Sequence, residues 1–467
     1  MKKLFPFFLL LLISCGNEES SKGGEINENL TINNQQSNLF NWETSPPEEV
    51  GMDPIKVEEA IEFAVSDGSF SQAVLVVKNG KIIAERYKGM TQNEASMLAS
   101  NSSNSITPEE LLENFGVREE SSLVTSWSTG KSFTSILIGI AIDKGFINSV
   151  EESASNYITE WQGDNRVSIT LRNLLDMRSS LIPTCGDSST TSLYPCNDRP
   201  RSGGTLVYAD DQLTACLAAQ KAEFNVSQPW SNIGIYESGH LRYSNCDTQI
   251  LGEILFRATG KDPYTFADIY LFSKLNMTAL WWRDNVEVGQ SNGNYLTYCC
   301  IDSTIRDFAK FGQMILNGGE LAGQRIVSQE YIGMIKNIVN DSFVSELAPY
   351  APNFSYGLKF WTIQPAVIAG SGTSNQEMYP PANSLFSTIG FDGQYVVIDF
   401  ERNMIITRNS LYHPYLNHSN ERKMKLIPGT ISESNWIATV PAALGITVDS
   451  QFSIQKFLYL LDKAVTD

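Results

Sequence analysis

Two hairpin signals at opposite ends of the chain constrain its fold more than any other feature. Ala73-Val74-Leu75-Val76-Val77 and Ile82-Ile83-Ala84 flank Asn79-Gly80. An Asn-Gly pair between apolar runs favours a tight turn with positive φ at both central residues, whose twist matches that of paired strands. Toward the other end, Val396-Val397-Ile398 and Met404-Ile405-Ile406 flank Glu401-Arg402-Asn403. The segments between have helical spacing. Asp53-Pro54 reads as a cap with proline at the first helical position. Residues 128–144 repeat Ile136, Leu137, Ile140 and Ala141 on helical period and stop at Gly145; they are apolar nearly all round, which predicts a buried helix. Further helices are expected from Thr170 through Leu175, from Asp247 through Leu255 to Gly260, from Thr304 through Phe308 and Phe311 to Ile315, and around Phe457 and Leu461. Residues 91–122 read as loop with a short helix near Pro108. Strands at both ends and helices between them predict an α+β fold, an antiparallel sheet flanked by helices with a mainly helical subdomain inserted. The sheet layer is expected at about 53–144 and 384–467, and the insert at about 145–383.

The N-terminus carries Lys2 and Lys3, then an apolar run from Leu4 to Ile13, too short to span a bilayer as a helix. Leu12-Ile13-Ser14-Cys15-Gly16 resembles the lipobox of bacterial lipoproteins. The resemblance implies a signal segment at 1–15, lipid attachment at Cys15, and an exported chain held at the cell envelope, outer membrane or periplasm-facing. Residues 16–45, rich in Asn, Ser, Glu and Gln, read as a flexible tether, and 46–467 as the folded domain. A net charge of −18 argues against a nucleic-acid partner. Cys185, Cys196, Cys216, Cys246, Cys299 and Cys300 remain after Cys15. An even number in an exported chain suggests disulfides; six cysteines allow 15 pairings, and sequence does not choose among them. Cys185 and Cys196 flank a Gly/Ser/Thr-rich stretch that a local bridge can close. With no Cys-x-x-Cys pair and three histidines, neither a metal nor a cofactor is expected.

Within Thr125-Ser126-Trp127-Ser128-Thr129-Gly130-Lys131-Ser132, Ser128 and Lys131 are three apart. Helical geometry puts such a pair on one face with Cβ atoms about 5–6 Å apart. A serine hydroxyl is a poor nucleophile without a base in hydrogen-bond reach. A lysine amine serves once burial or a neighbouring cation draws its pKa down from ~10.4. Alone, Ser-x-x-Lys arises by chance as a capping serine and a snorkelling lysine. A second cluster, Leu241-Arg242-Tyr243-Ser244-Asn245-Cys246-Asp247, precedes a capped helix. A tyrosine can shuttle a proton beside an ammonium, and an asparagine can donate to a lysine or a substrate carbonyl.

Together, in this order, these motifs resemble the class C beta-lactamase and penicillin-recognising family, in the branch containing esterases, D-aminopeptidases and 6-aminohexanoate-oligomer hydrolases. Residues 171–180, 242–260 and 302–327 also read like family segments, and the resemblance covers about 48–412. It implies Ser128 as nucleophile, Lys131 as its proton partner, Tyr243 as base and acid, and Asn245 as a substrate-positioning amide. The family's third motif has its best counterpart in Thr388-Ile389-Gly390-Phe391-Asp392-Gly393-Gln394, with Thr388 where the family has a cation. That departure puts beta-lactamase and peptidase activity in doubt. Gly390 permits close backbone approach, and the Phe391 amide is expected as an oxyanion donor beside that of Ser128.

The reading is a serine hydrolase acting on a small ester or amide with an uncharged or apolar acyl group, with Trp127, Tyr236, Tyr298 and Phe391 as candidate walls. A beta-lactamase or D-alanyl-D-alanine carboxypeptidase, and a non-catalytic lipoprotein binding module, are the alternatives. A histidine triad is disfavoured, since His240, His413 and His418 are the only histidines and no Gly-x-Ser-x-Gly elbow occurs.

Overall fold

A computed structural model of the 467-residue chain describes residues 40–101, 107–181, 206, 211–221, 226–227, 235–236, 241, 243–284, 293–338, 355–368, 378–381, 384–390, 393–410 and 452–466. Cys15, most of the expected tether, Cys185, Cys196, Phe391 and all three histidines lie outside the described residues.

Eight strands form the main sheet: β1 (Glu43–Thr44), β2 (Ala73–Lys78), β3 (Lys81–Tyr87), β4 (Tyr356–Gly357), β5 (Phe360–Thr362), β6 (Phe386–Gly390), β7 (Gln394–Asp399) and β8 (Met404–Asn409). Their spatial order is β1-β3-β2-β8-β7-β6-β5-β4, antiparallel throughout except for β1 beside β3. The two hairpins predicted from sequence therefore meet in the middle, where β2 pairs with β8 from Ala73↔Asn409 to Lys78↔Met404. Asn79 (φ 52°) and Gly80 (φ 79°) both take the left-handed conformation that the β2–β3 turn requires.

Alternate side chains of these central strands enter two different cores, as the period of two demands. Val74, Val76, Val397 and Ile406 pack with α1 (Pro54–Ala64) and the C-terminal helix (Ile454–Ala464). Leu75, Val77, Val396 and Ile405 belong to the larger core with the helices on the other face. There the helix Gly130–Asp143 is buried along Gly130–Ala141. Its Phe133 stacks on Phe311 of the helix Ile305–Leu316 with ring centroids 3.8 Å apart. That second helix lies so close to the sheet that a Cβ on Gly312 would come within 2.8 Å of Val396 Cγ1. The fold is thus α+β, as expected.

Several local readings change. Residues 92–101 form a second helix where loop was expected. The folded region begins before residue 46: Phe40 and Trp42 pack on the larger core, Trp42 donates to the Arg306 carbonyl, and β1 joins the sheet edge. Strands β4 and β5, inside the expected helical insert, belong to the main sheet; at two and three residues they are too short to show a period of two. The described disulfides are Cys216–Cys246 and Cys299–Cys300.

Candidate active site

The chain enters the helix Gly130–Asp143 through a 3₁₀ turn, Trp127–Thr129, so Ser128 sits just ahead of the helix rather than within it. Trp127 has φ 44°, a conformation that a bulky residue adopts only when its surroundings impose it. Trp127 and Thr129 are buried while Ser128 is half-buried, so within this turn the serine alone reaches the surface. Lys131 is one turn further on and only 1% exposed. Its Nζ lies 3.0 Å from Ser128 Oγ and 2.9 Å from the Tyr298 carbonyl oxygen. A neutral amine suits both contacts: it donates to the carbonyl and offers its lone pair to the serine proton.

Burial first, and the Lys359 ammonium second, push the Lys131 amine well below the usual lysine range. Sequence reasoning missed Lys359, which enters this region through a turn of unusual geometry. Leu358 (φ 48°) and Lys359 (φ 65°) both adopt left-handed backbone between β4 and β5. The Lys359 backbone is gripped on both sides, its amide donating to the Leu175 carbonyl and its carbonyl accepting from Ser132 Oγ. Its Nζ donates to the Leu174 carbonyl at 2.6 Å. Asp247 and Asp176 are its anionic neighbours. Burial pushes Lys359 down and Asp247 up, both toward their neutral forms, against the attraction between them. Asp247 accepts from Ser179 Oγ at 2.8 Å, and its Oδ2 has no hydrogen-bond partner among the described residues.

Tyr243 reaches the site from the loop ahead of the helix Asn245–Thr259. Ser244 caps that helix by accepting from the Asp247 amide, and Cys216–Cys246 ties its first turn to the helix Gln212–Leu217. The Lys131 Nζ lies 4.8 Å from the Tyr243 ring centroid. Burial raises the phenol well above its ordinary range, opposed by a hydrogen bond with the Ser128 side chain. At neutral pH the phenol is therefore protonated and the amine is the more available base. The Tyr243 ring packs against Trp361 and Tyr356, with centroids 5.5 and 6.2 Å away.

Asn245 opens the helix Asn245–Thr259, half-buried; the hydrogen bonds described for Lys131 go to Ser128 and Tyr298 and not to it. Gly390 ends β6 against the nucleophile turn, where an added Cβ would fall 2.3 Å from the Ser126 carbonyl oxygen. Thr388 is buried on the same strand, its hydroxyl 3.3 Å from that of Thr129. A cation does lie near this motif, but Arg408 is buried and engaged with Gly393, Ser69 and Ser71. Of the candidate walls, Trp127 packs against Trp282 and Tyr298 donates its phenol to Gln212. Tyr236 is described only in its backbone, a two-residue strand. No cluster of His, Cys, Asp and Glu able to hold a metal occurs among the described residues.

A hydroxyl, a buried amine and a phenol in mutual contact, beside a strand held close by glycine, form a constellation suited to acyl transfer. Comparisons with known proteins give the family and the fold. The Beta-lactamase family profile matches residues 61–410. The 6-aminohexanoate-dimer hydrolase of Paenarthrobacter ureafaciens is 25% identical over 265 residues, 54% of this chain and 61% of the relative, so the match spans less than two thirds of that protein. A protein provisionally assigned as a 6-aminohexanoate-dimer hydrolase from Bacillus anthracis superposes with a TM-score of 0.50 at 20% identity, covering 82% of this chain and 84% of its own. EstCE1, a hydrolase with promiscuous acyltransferase activity, gives 0.51 at 10% identity, covering 84% and 97%. At these identities both structures speak to fold alone.

Proposed function

This chain belongs to the Beta-lactamase family; from that premise we propose that it is a serine hydrolase that cleaves small esters or amides with uncharged or apolar acyl groups through an acyl-enzyme on Ser128. The observation that carries the reading is the 3.0 Å approach of the buried Lys131 amine to Ser128 Oγ. Lys131, held neutral, takes the hydroxyl proton as Ser128 attacks the carbonyl. Tyr243, protonated and in contact with Ser128, passes a proton to the leaving alkoxide or amine. The Ser128 amide and the amide at position 391 receive the oxyanion. Water, deprotonated by the same pair, then releases the acid. Asn245 orients the substrate carbonyl from the start of the helix Asn245–Thr259.

The preference for uncharged acyl groups rests on Thr388, a buried neutral residue at the position where a cation would bind a substrate carboxylate. Amide cleavage is supported by the relative that hydrolyses 6-aminohexanoate dimer. We further propose that Cys15 carries a lipid and holds the enzyme at the cell envelope; mass analysis of the N-terminal peptide from the native membrane fraction tests this, and an unacylated N-terminal Met1 would contradict it.

The discriminating experiment is a substrate panel of p-nitrophenyl esters, 6-aminohexanoate dimer, nitrocefin and a D-alanyl-D-alanine peptide, run on the wild type and Ser128→Ala. Ester or amide turnover is expected, falling by about 10³-fold or more in the variant. Dominant nitrocefin turnover or D-alanine release would replace the substrate assignment. Equal rates in both proteins would remove Ser128 from the mechanism.

A further inference from the structure

Residues 298–301 form a template for the nucleophile turn, contacting it at one position after another. The Tyr298 carbonyl accepts from Lys131 Nζ at 2.9 Å. The Cys299 backbone presses on Gly130, where a Cβ would lie 2.8 Å from the Cys299 carbonyl carbon. The Cys300 amide donates to the Trp127 carbonyl at 3.1 Å. Ile301 exchanges a pair of bonds with Ser126, its amide donating to Ser126 Oγ and its carbonyl accepting from the Ser126 amide, both at 2.8 Å. At the centre of this template, Cys299 and Cys300 are joined to each other by a disulfide.

A bridge between adjacent residues closes a small ring through the peptide bond that links them, so it removes backbone freedom at that spot and nowhere else. Cys300 sits in this ring at φ 69°, left-handed for a residue with a Cβ. The ring is buried, with Cys299 4% and Cys300 2% exposed. It is clamped from behind: Trp281 Nε1 donates to the Cys299 carbonyl and the Trp282 amide to the Cys300 carbonyl, each at 3.0 Å.

We propose that the Cys299–Cys300 disulfide is a positioning element for catalysis, which holds the Tyr298 carbonyl and the Cys300 amide at the spacing that presents Lys131 to Ser128. Opening it takes two electrons and two protons: a phosphine reductant attacks one sulfur, water supplies the oxygen and protons, and two thiols and the phosphine oxide result. Both residues then regain backbone freedom, the grip on Trp127 and Lys131 loosens, and water reaches the amine. Because burial is the leading cause of the low Lys131 pKa, solvation returns it toward the ordinary range. Lys359 faces Lys131 from the β4–β5 turn, Tyr243 from the loop before the helix Asn245–Thr259 and Tyr298 from the template itself; the reduction changes the covalent structure of none of these three.

The inference rests on the Ser128 mechanism above. The test uses the full chain. Non-reducing peptide mapping first reads the redox state of Cys299 and Cys300; free thiols at both positions in the native protein would overturn the proposal. Cys299→Ser/Cys300→Ser is then compared with the wild type on the best substrate of the panel. Expected are a fall in kcat of about tenfold or more with a smaller change in KM, and an acid limb of kcat/KM moved to higher pH. Wild-type kcat and an unmoved limb would overturn the proposal. If the double variant does not fold, a Cys216→Ser/Cys246→Ser protein is reduced with the phosphine while folded and then reoxidised. Loss on reduction with recovery on reoxidation supports the inference, and activity unchanged after complete reduction contradicts it. Wild-type turnover that dies in Ser128→Ala but survives loss of the disulfide sinks this inference alone, whereas no wild-type turnover at all sinks both readings.

Discussion

Lys359 shows how one buried charge can set the chemistry of another. It stands within electrostatic reach of Lys131, with Asp247 and Asp176 as its own counter-ions. Burial first, and this neighbouring cation second, disfavour protonation, so Lys131 is neutral, and able to act as a base, at pH values where an exposed lysine near 10.4 is charged. The acid limb of kcat/KM is accordingly expected well below the ordinary lysine range. Lys359→Met removes the repelling charge and leaves Asp247 and Asp176 without their cation; both changes favour the Lys131 ammonium. The limb should then rise to higher pH, while Lys359→Arg, which keeps the charge, should hold it near the wild-type position. A pH–rate series on the three proteins decides the matter, and a limb that stays put in Lys359→Met removes Lys359 from the account. The proximity of Ser128, Lys131 and Tyr243 was legible in the sequence because a three-residue spacing sets the first two side by side and the family resemblance put the tyrosine with them. Lys359 was not, because it arrives through two left-handed residues, in a segment whose composition carries no sign of that turn.

At the level of elements, the site depends on how closely β6 lies against the nucleophile turn. Gly390 allows this approach, and its replacement by alanine would put a methyl carbon 2.3 Å from the Ser126 carbonyl oxygen, nearer than non-bonded atoms tolerate. Gly390→Ala is expected to cost roughly 1–3 kcal/mol of stability by overpacking, and to lower kcat more than KM as strand and turn separate. Denaturant unfolding read beside steady-state kinetics tests both parts; a variant with wild-type stability and kcat would show that strand and turn are not in contact. The glycine was legible from its motif. Its exact antagonist, the Ser126 carbonyl, was not, because the reading ran the α-helix back to Ser128, whereas the chain turns as a 3₁₀ segment there.

Across the whole molecule, the sheet is assembled from segments at opposite ends of the sequence, and its outer face is closed by α1 together with the helix Ile454–Ala464. The two termini of this layer are bonded directly: the Asp53 amide donates to the Ala464 carbonyl and the Thr466 amide to that of Gly51. Phe457, Leu458 and Leu461 are buried there against α1 and the sheet. Deleting residues 452–467 would expose that face of the core, at roughly 1.5–3 kcal/mol for each large apolar side chain left uncovered. The sum rivals the whole stability of a domain, about 5–15 kcal/mol. The truncated chain is expected to lose its cooperative thermal transition by circular dichroism, and an unchanged midpoint would contradict the role given to this helix. The sheet's central strands were legible because unbroken apolar runs and the Asn79-Gly80 turn are local. Its edges were not: β1, β4 and β5 are held by pairing with neighbours distant in sequence, and their own residues are too few to declare a period.

The central claim is that a hydroxyl made nucleophilic by a buried amine forms a covalent link to the substrate's acyl group. Peptide mass spectrometry after brief exposure of the full chain to a fluorophosphonate reads this directly. The account predicts one adduct, on the peptide containing Ser128, formed faster as pH rises through the acid limb and absent from Ser128→Ala. An adduct on any other residue, or equal labelling of the alanine variant, would contradict it.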